Sequence, residues 1–281
     1  NEWRTCANKL FYLAVPPQYY KTIFRNLADS GLTEPCGPEE GWIPLEAGRP
    51  VVAVAAPSAG RPLTGWTRVI VEKPFGRDLK TAESLDKLLG TLFREEQIYR
   101  IDHYLGKETV QNILAFRFSN YFLEPAWDKH SIEDIRIRLW ETGGVEGRGG
   151  FYDTTGALRD VGQNHLLQLL ALFTMENPGS FDADSIRRKR AETLNCLKIF
   201  TKRETADFTI RGQYENYRNE KDVKSDSDTE TYFRITAFLD TPRFAGIPLY
   251  LESGKMMPES KAEVIVTFKH PSPCLCPTES Q

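Results

Sequence analysis

The sequence predicts an α/β half followed by an α+β half, and three observations carry that expectation. Over the first hundred residues apolar strand patterns alternate with amphipathic helix patterns, the arrangement of a parallel sheet. From Thr205 onward strands follow one another with only turns between them, which predicts antiparallel pairing. Between the two lies Arg100-Ile101-Asp102-His103-Tyr104-Leu105-Gly106-Lys107-Glu108, a stretch that crowds an acid, an imidazole, a phenol and an ammonium together.

Lys9 to Val15 is the first expected strand, ended by Pro16-Pro17, which open a helix carrying Tyr20, Ile23, Phe24 and Leu27 on one face. Residues 43–65 are rich in Ala, Pro, Gly and Val and keep no period, so they read as an inserted loop. Thr67 to Glu72 is the second strand. Asp78 then caps a helix whose Leu79, Ala82, Leu85, Leu88 and Leu89 form the buried stripe. Ile98 to Ile101 is a third strand. A helix with Val110, Ile113, Leu114 and Phe118 follows it, with Asp102 as N-cap. On that helix His103 and Lys107 share a face, and its first turn offers a place for a phosphate or carboxylate.

Ile132 to Glu141 alternates as a half-buried strand. A long apolar helix is expected from about Ala157 to Met175, carrying Asp160, Gln163, Asn164 and His165. Strands follow at Phe208–Arg211, Tyr232–Leu239, Ile247–Leu251 and Val264–Phe268, forming an antiparallel meander.

Composition narrows the function classes. With 281 residues, 40% hydrophobic and 27% charged, the chain has the profile of an ordinary soluble protein. A net charge of -3 gives no sign of a general nucleic-acid binder, and Arg187-Arg188-Lys189-Arg190 reads as a solvated helix face. No apolar run reaches the length of a membrane span. The five cysteines, Cys6, Cys36, Cys196, Cys274 and Cys276, lack zinc-ligand spacing, so no metal is expected and a reducing, cytoplasmic setting is the default. The chain starts at Asn1, almost inside a strand, and reads as a fragment.

Single polar residues have plain alternatives: His165 as a satisfied core histidine, Lys73 as a solvated strand end. The glycine cluster Gly143 to Gly150 completes no G-x-G-x-x-G fingerprint, and Gly106-Lys107 completes no phosphate loop. Burying Asp160, Asn164 and His165 together without partners would be costly, and a histidine held by a carboxylate is the usual general base at neutral pH.

Several ordered motifs resemble the glucose-6-phosphate dehydrogenase family. They are Glu72-Lys73-Pro74-Phe75-Gly76, Ile101 to Glu108, Gly147-Arg148-Gly149-Gly150-Phe151-Tyr152-Asp153, Arg159 to Gln168, and Ser253-Gly254-Lys255. The resemblance covers about residues 8–42 and 66–275. It implies an incomplete Rossmann-like coenzyme domain over 1–102, with 43–65 inserted. A truncated substrate-binding and dimerisation domain with a large antiparallel sheet would occupy 103–281. It further implies oxidation of glucose 6-phosphate at C1 to 6-phosphogluconolactone with NADP, the first step of the pentose phosphate pathway, in a homodimer or homotetramer formed through that sheet.

By the same resemblance His165 is the general base, oriented by Asp102. His103, Tyr104, Lys107 and Lys255 hold the phosphate and sugar, with Lys107 nearest the reacting end. Glu146 and Asp160 bind sugar hydroxyls, and Lys73 and Pro74, the latter in a cis peptide, stand at the nicotinamide. The family's Gly-x-x-Gly-Asp-Leu turn is absent, and Ser260, with Lys261 beside it, stands where the family often has a second cation. The isolated chain is therefore expected not to turn over. A sugar-phosphate-binding remnant and a structural subunit are the rival readings.

Overall fold

The computed structural model describes residues 7–15, 19–33, 65–76 and 78–271. The chain divides into two compact units, Asn1–Asp102 and His103–Gln281. The Pro16-Pro17 helix start, residues 43–64 of the expected insertion, and Cys6, Cys36, Cys274 and Cys276 lie outside the described residues.

In the first unit β1 (Lys9–Leu13), β2 (Thr67–Glu72) and β3 (Ile98–Ile101) form a parallel sheet in the order β1-β2-β3. The helices α1 (Tyr20–Asp29) and α2 (Leu79–Leu92) lie between them in sequence. Alternation places Val69 and Val71 in a core with Leu13, Tyr20, Phe24, Leu85, Leu89, Phe93 and Ile98, while Arg68 stays outside against the rings of Trp66 and Tyr99. Asp78 caps α2 as the sequence predicts: its carboxylate accepts from the Thr81 N–H at 2.8 Å. Glu72 pairs with Ile101 in register, so Lys73 and Asp102 leave the carboxyl ends of adjacent parallel strands.

The second unit opens differently from the sequence expectation. Residues 103–106 form turns, in which Gly106 N–H donates to the His103 carbonyl and Lys107 N–H to that of Tyr104. The helix α3 (Glu108–Phe118) starts only after them, with Lys107 at its N-cap in extended conformation. Asp102 is therefore not the cap, and His103 and Lys107 do not share a helical face. The apolar period holds from Val110 onward; what it could not reveal is that consecutive turns precede the helix.

Then follow β4 (Ile132–Trp140), the single-turn α4 (Gly149–Tyr152), a π-helical segment Leu158–Leu166, α5 (Leu167–Thr174), α6 (Ala183–Asn195) and α7 (Lys202–Phe208). β5 (Thr209–Gly212), β6 (Tyr232–Ala237), β7 (Leu249–Gly254) and β8 (Lys261–Phe268) complete a five-stranded sheet of order β5-β6-β7-β4-β8. The expected meander holds for β5/β6 and β6/β7, which pair antiparallel, but β7 and β8 do not pair: β4 stands between them, parallel to β7 and antiparallel to β8. β4 inserts between β7 and β8 because its two long edges need partners. The helical residues between β4 and β7 supply the long crossover that parallel pairing requires. Ile132, Ile135, Ile137 and Leu139 of β4 are buried at the centre of the larger core.

The expected helix from Ala157 to Met175 is likewise divided. Leu158–Leu166 is π-helical, and the α-helix begins only at Leu167. Gly162 lets β6 approach this segment, since an added Cβ would stand 2.6 Å from the Phe233 ring. The glycine cluster has a packing cause as well: a Cβ on Gly149 would fall on the Lys221 carbonyl oxygen. The basic run on α6 pairs within its own helix, Arg187 with Asp184 at 3.0 Å and Lys189 with Glu192 at 2.7 Å.

The loop that crosses Gly149 is pinned by Asp153. Its carboxylate accepts from Tyr217 Oη at 3.1 Å, from Ser227 Oγ and from the Lys224 N–H, and Thr229 Oγ1 donates to its carbonyl at 2.6 Å. Burial pushes the Asp153 carboxyl up, but the hydrogen bonds from Ser227, Tyr217 and Lys224 outweigh it and the net shift is downward. A depressed folded-state value gives stability that is present above the ordinary 3.8 and lost as pH falls through the folded value. In thermal melts taken from neutral pH to pH below that value, the Asp153→Asn variant should lose less stability than the parent. Parallel curves would remove Asp153 as an acid-sensitive tie.

Candidate active site

Two groups of polar side chains stand in the second unit. In the first, the turn before α3 brings His103 and Tyr104 to His165, which lies in the last turn of the π-helical segment and is 2% exposed, and sets Lys107 on Tyr104. The Tyr104 and His165 rings lie 4.3 Å apart at 31°, His103 and His165 4.7 Å apart at 73°, and Lys107 Nζ is 3.8 Å from the Tyr104 ring centroid. The turn thus achieves what a shared helix face was expected to do. It sets a cation on an aromatic ring, and that ring on a buried imidazole.

The second group depends on the parallel pairing of β4 with β7. Trp140 pairs with Gly254 in register, so the carboxyl ends of both strands coincide and the next residues, Glu141 and Lys255, meet. Lys255 is 6% exposed, and its ammonium donates to the Glu141 carboxylate. It also lies 5.6 Å from the Tyr152 ring. Burial pushes the Tyr152 phenol up strongly, and the charges of Asp160, Glu230 and Glu141 add to it, so Asp160 belongs to the same neighbourhood. Such an array offers a buried ammonium, a phenol and two carboxylates, a set suited to a polyhydroxylated anion.

Of the residues singled out from sequence, His103, Tyr104, Lys107 and His165 come together, and Asp160 and Lys255 gather around Tyr152. Glu146 is exposed, in a left-handed conformation (φ +43°), and the glutamate paired with Lys255 is Glu141. Sequence reasoning missed Glu141 and Tyr152. The available signal was their place at the end of an alternating strand and inside the glycine motif. Ser260 Oγ lies 3.3 Å from Thr142 Oγ1, and Lys261 pairs with Glu259 at 2.8 Å.

In the first unit the Lys73–Pro74 bond is cis, as expected, and Tyr20 Oη donates to the Glu72 carbonyl just before it at 3.0 Å. Lys73, Pro74 and Asp102 thus occupy the carboxyl end of the parallel sheet, where open α/β sheets bind ligands.

Residues 1–112 match the family model described as "Glucose-6-phosphate dehydrogenase, NAD binding domain", and residues 114–281 match "Glucose-6-phosphate dehydrogenase, C-terminal domain". The chain belongs to the glucose-6-phosphate dehydrogenase family. It is 41% identical over 277 residues to the glucose-6-phosphate 1-dehydrogenase of Aggregatibacter actinomycetemcomitans, a match covering 95% of this chain and 51% of that protein. The crystal structure of the Mycobacterium avium family member superposes with a TM-score of 0.76 at 37% identity, covering 93% of this chain and 51% of that one. A glucose-6-phosphate dehydrogenase in complex with its substrate glucose 6-phosphate gives a TM-score of 0.76 at 36% identity, with 93% and 49% covered. The chain spans about half the length of the relatives it matches. Among the described residues, no helix is long and apolar enough to cross a membrane.

Proposed function

We propose that this chain carries the substrate half of an NADP-dependent glucose-6-phosphate 1-dehydrogenase acting in the cytoplasm as a homodimer or homotetramer. The observation that carries this reading is the buried His165 against Tyr104, with the Lys107 ammonium 3.8 Å from the centre of that same ring. In the proposed reaction the His165 imidazole takes the proton of the C1 hydroxyl, and C1 loses hydride to leave the lactone. Asp102 orients the imidazole, holding its second nitrogen as a donor. Two negative charges on the phosphate favour several cations; Lys107 and Lys255 supply ammonium groups, and His103 and Tyr104 add hydrogen bonds to phosphate and sugar.

A bound nicotinamide coenzyme supplies the hydride acceptor. The carboxyl end of β2, with the cis Lys73–Pro74 peptide beside Asp102, fits the nicotinamide end of such a group. Lys73 and Pro74 would stand against it, with Lys73 bringing a positive charge to its edge.

For the sugar hydroxyls the geometry favours Asp160 and Glu141 over Glu146, because Glu141 is held by Lys255 beside Tyr152. Calorimetric titration of the purified chain with glucose 6-phosphate tests both levels. Saturable binding that inorganic phosphate competes away is expected, and its absence would end the proposal. Glu141→Gln should weaken binding by about tenfold or more, the scale of one charged hydrogen bond, whereas Glu146→Gln should change it little. The reverse ranking would restore Glu146 to the role that the family resemblance implied.

A further inference from the structure

Helices α3 and α5 lie side by side and run in the same direction. Tyr104, just ahead of α3 and carrying Lys107 on its ring, meets His165 just ahead of α5, and Arg117 in the last turn of α3 donates to the Leu172 carbonyl near the end of α5 at 2.9 Å. Arg117 is fully buried at 0% exposure. Among the described residues its Nε and Nη2 have no hydrogen-bond partner, and Nη2 stands 3.7 Å from the Glu124 carboxylate. Burial lowers its pKa to about 10.

Few direct partners hold this charge, yet its position is favourable in another way. The guanidinium sits at the carbonyl ends of two parallel helices, and both present partial negative charge there. Phe118 and Trp127 add ring faces at 4.5 and 5.5 Å. An apolar side chain of similar volume would often serve stability as well as a buried ion pair does. What it could not supply is a directed bond from the end of one helix to the end of the other.

We infer that Arg117 is a positioning residue, which fixes the lengthwise register of α3 against α5 and thereby the stacking of Tyr104 on His165. A slip of one residue moves a helix by about 1.5 Å. Displacement on that scale costs a catalytic site about a hundredfold. The catalytic consequence rests on the proposed role of His165, while the register itself does not.

Proton NMR of the full chain separates the two. The His165 ring signal is identified by its loss in His165→Asn, and Tyr104→Leu defines its unstacked position. Arg117→Met should move the signal most of the way to that position, and Arg117→Lys should move it less, in the same direction. Trp127→Phe is the control. Its indole donates to the Phe173 carbonyl at 2.7 Å, capping the same helix from outside α3, so the variant should melt earlier and leave the His165 signal in place. In Arg117→Met, glucose 6-phosphate affinity should fall by about tenfold.

An unmoved signal in Arg117→Met would overturn the inference. Should that variant fail to fold, the same result in Arg117→Lys would do so. So would an equal movement in Trp127→Phe, which would make the effect general loosening. If the rings shift as expected but the parent chain binds no glucose 6-phosphate, the register role stands and the proposed function falls.

Discussion

Replacing His165 by asparagine should lower turnover by about two to four powers of ten, the usual contribution of a general base, with little change in glucose 6-phosphate affinity. The measurement requires protein competent for nicotinamide reduction with this sugar phosphate. The expected separation of the two parameters follows from the geometry. His165 is buried against Tyr104 and, in the proposed mechanism, offers one nitrogen to the reacting hydroxyl, whereas the ammonium groups of Lys107 and Lys255 lie against the Tyr104 and Tyr152 rings. An asparagine of smaller volume keeps a hydrogen-bonding group but cannot accept a proton. Parent-like turnover in this variant would sink the mechanism. A loss of affinity as large as the loss of turnover would make His165 a binding residue instead.

Lys107→Ala should damage both parameters. One charge-assisted contact to the substrate goes, which weakens affinity by about ten- to a hundredfold. The cation on the Tyr104 ring goes as well, so the ring that covers His165 is less well held and turnover falls further. Lys107→Arg restores the charge but replaces a compact ammonium by a planar fork, and should recover affinity more than turnover. Parent values for both constants in Lys107→Ala would remove this lysine from the site.

How far sequence reached can be judged from these same residues. Asp102, His103, Tyr104, Lys107, Asp160 and His165 were legible as candidates, because polar groups crowded beside apolar runs are costly without a use, whereas Lys255 was reached only through the family resemblance. Strand and helix positions were legible through their periods, down to the Asp78 cap. The path by which His103 and Lys107 reach His165 was not, because a run of turns and a capped helix start have similar residue preferences. Nor could counting residues reveal the π-helical segment, since period analysis assumes one repeat throughout. Glu141 was hidden for a longer-range reason. Its importance comes from Lys255, 114 residues away, and that meeting exists only because β4 and β7 pair in parallel. Strand order inferred from adjacency puts β4 elsewhere.

That pairing also sets a timetable for synthesis. β4 is finished when the ribosome passes Trp140, but both of its neighbours, β7 and β8, begin only at Leu249 and Lys261. At ordinary elongation rates the delay is on the order of ten seconds. Throughout it, a nine-residue strand rich in isoleucine has neither hydrogen-bonded edge covered. A nascent chain in this state depends on its helices, or on a chaperone that binds unfolded segments, to keep β4 out of other sheets until its own arrives.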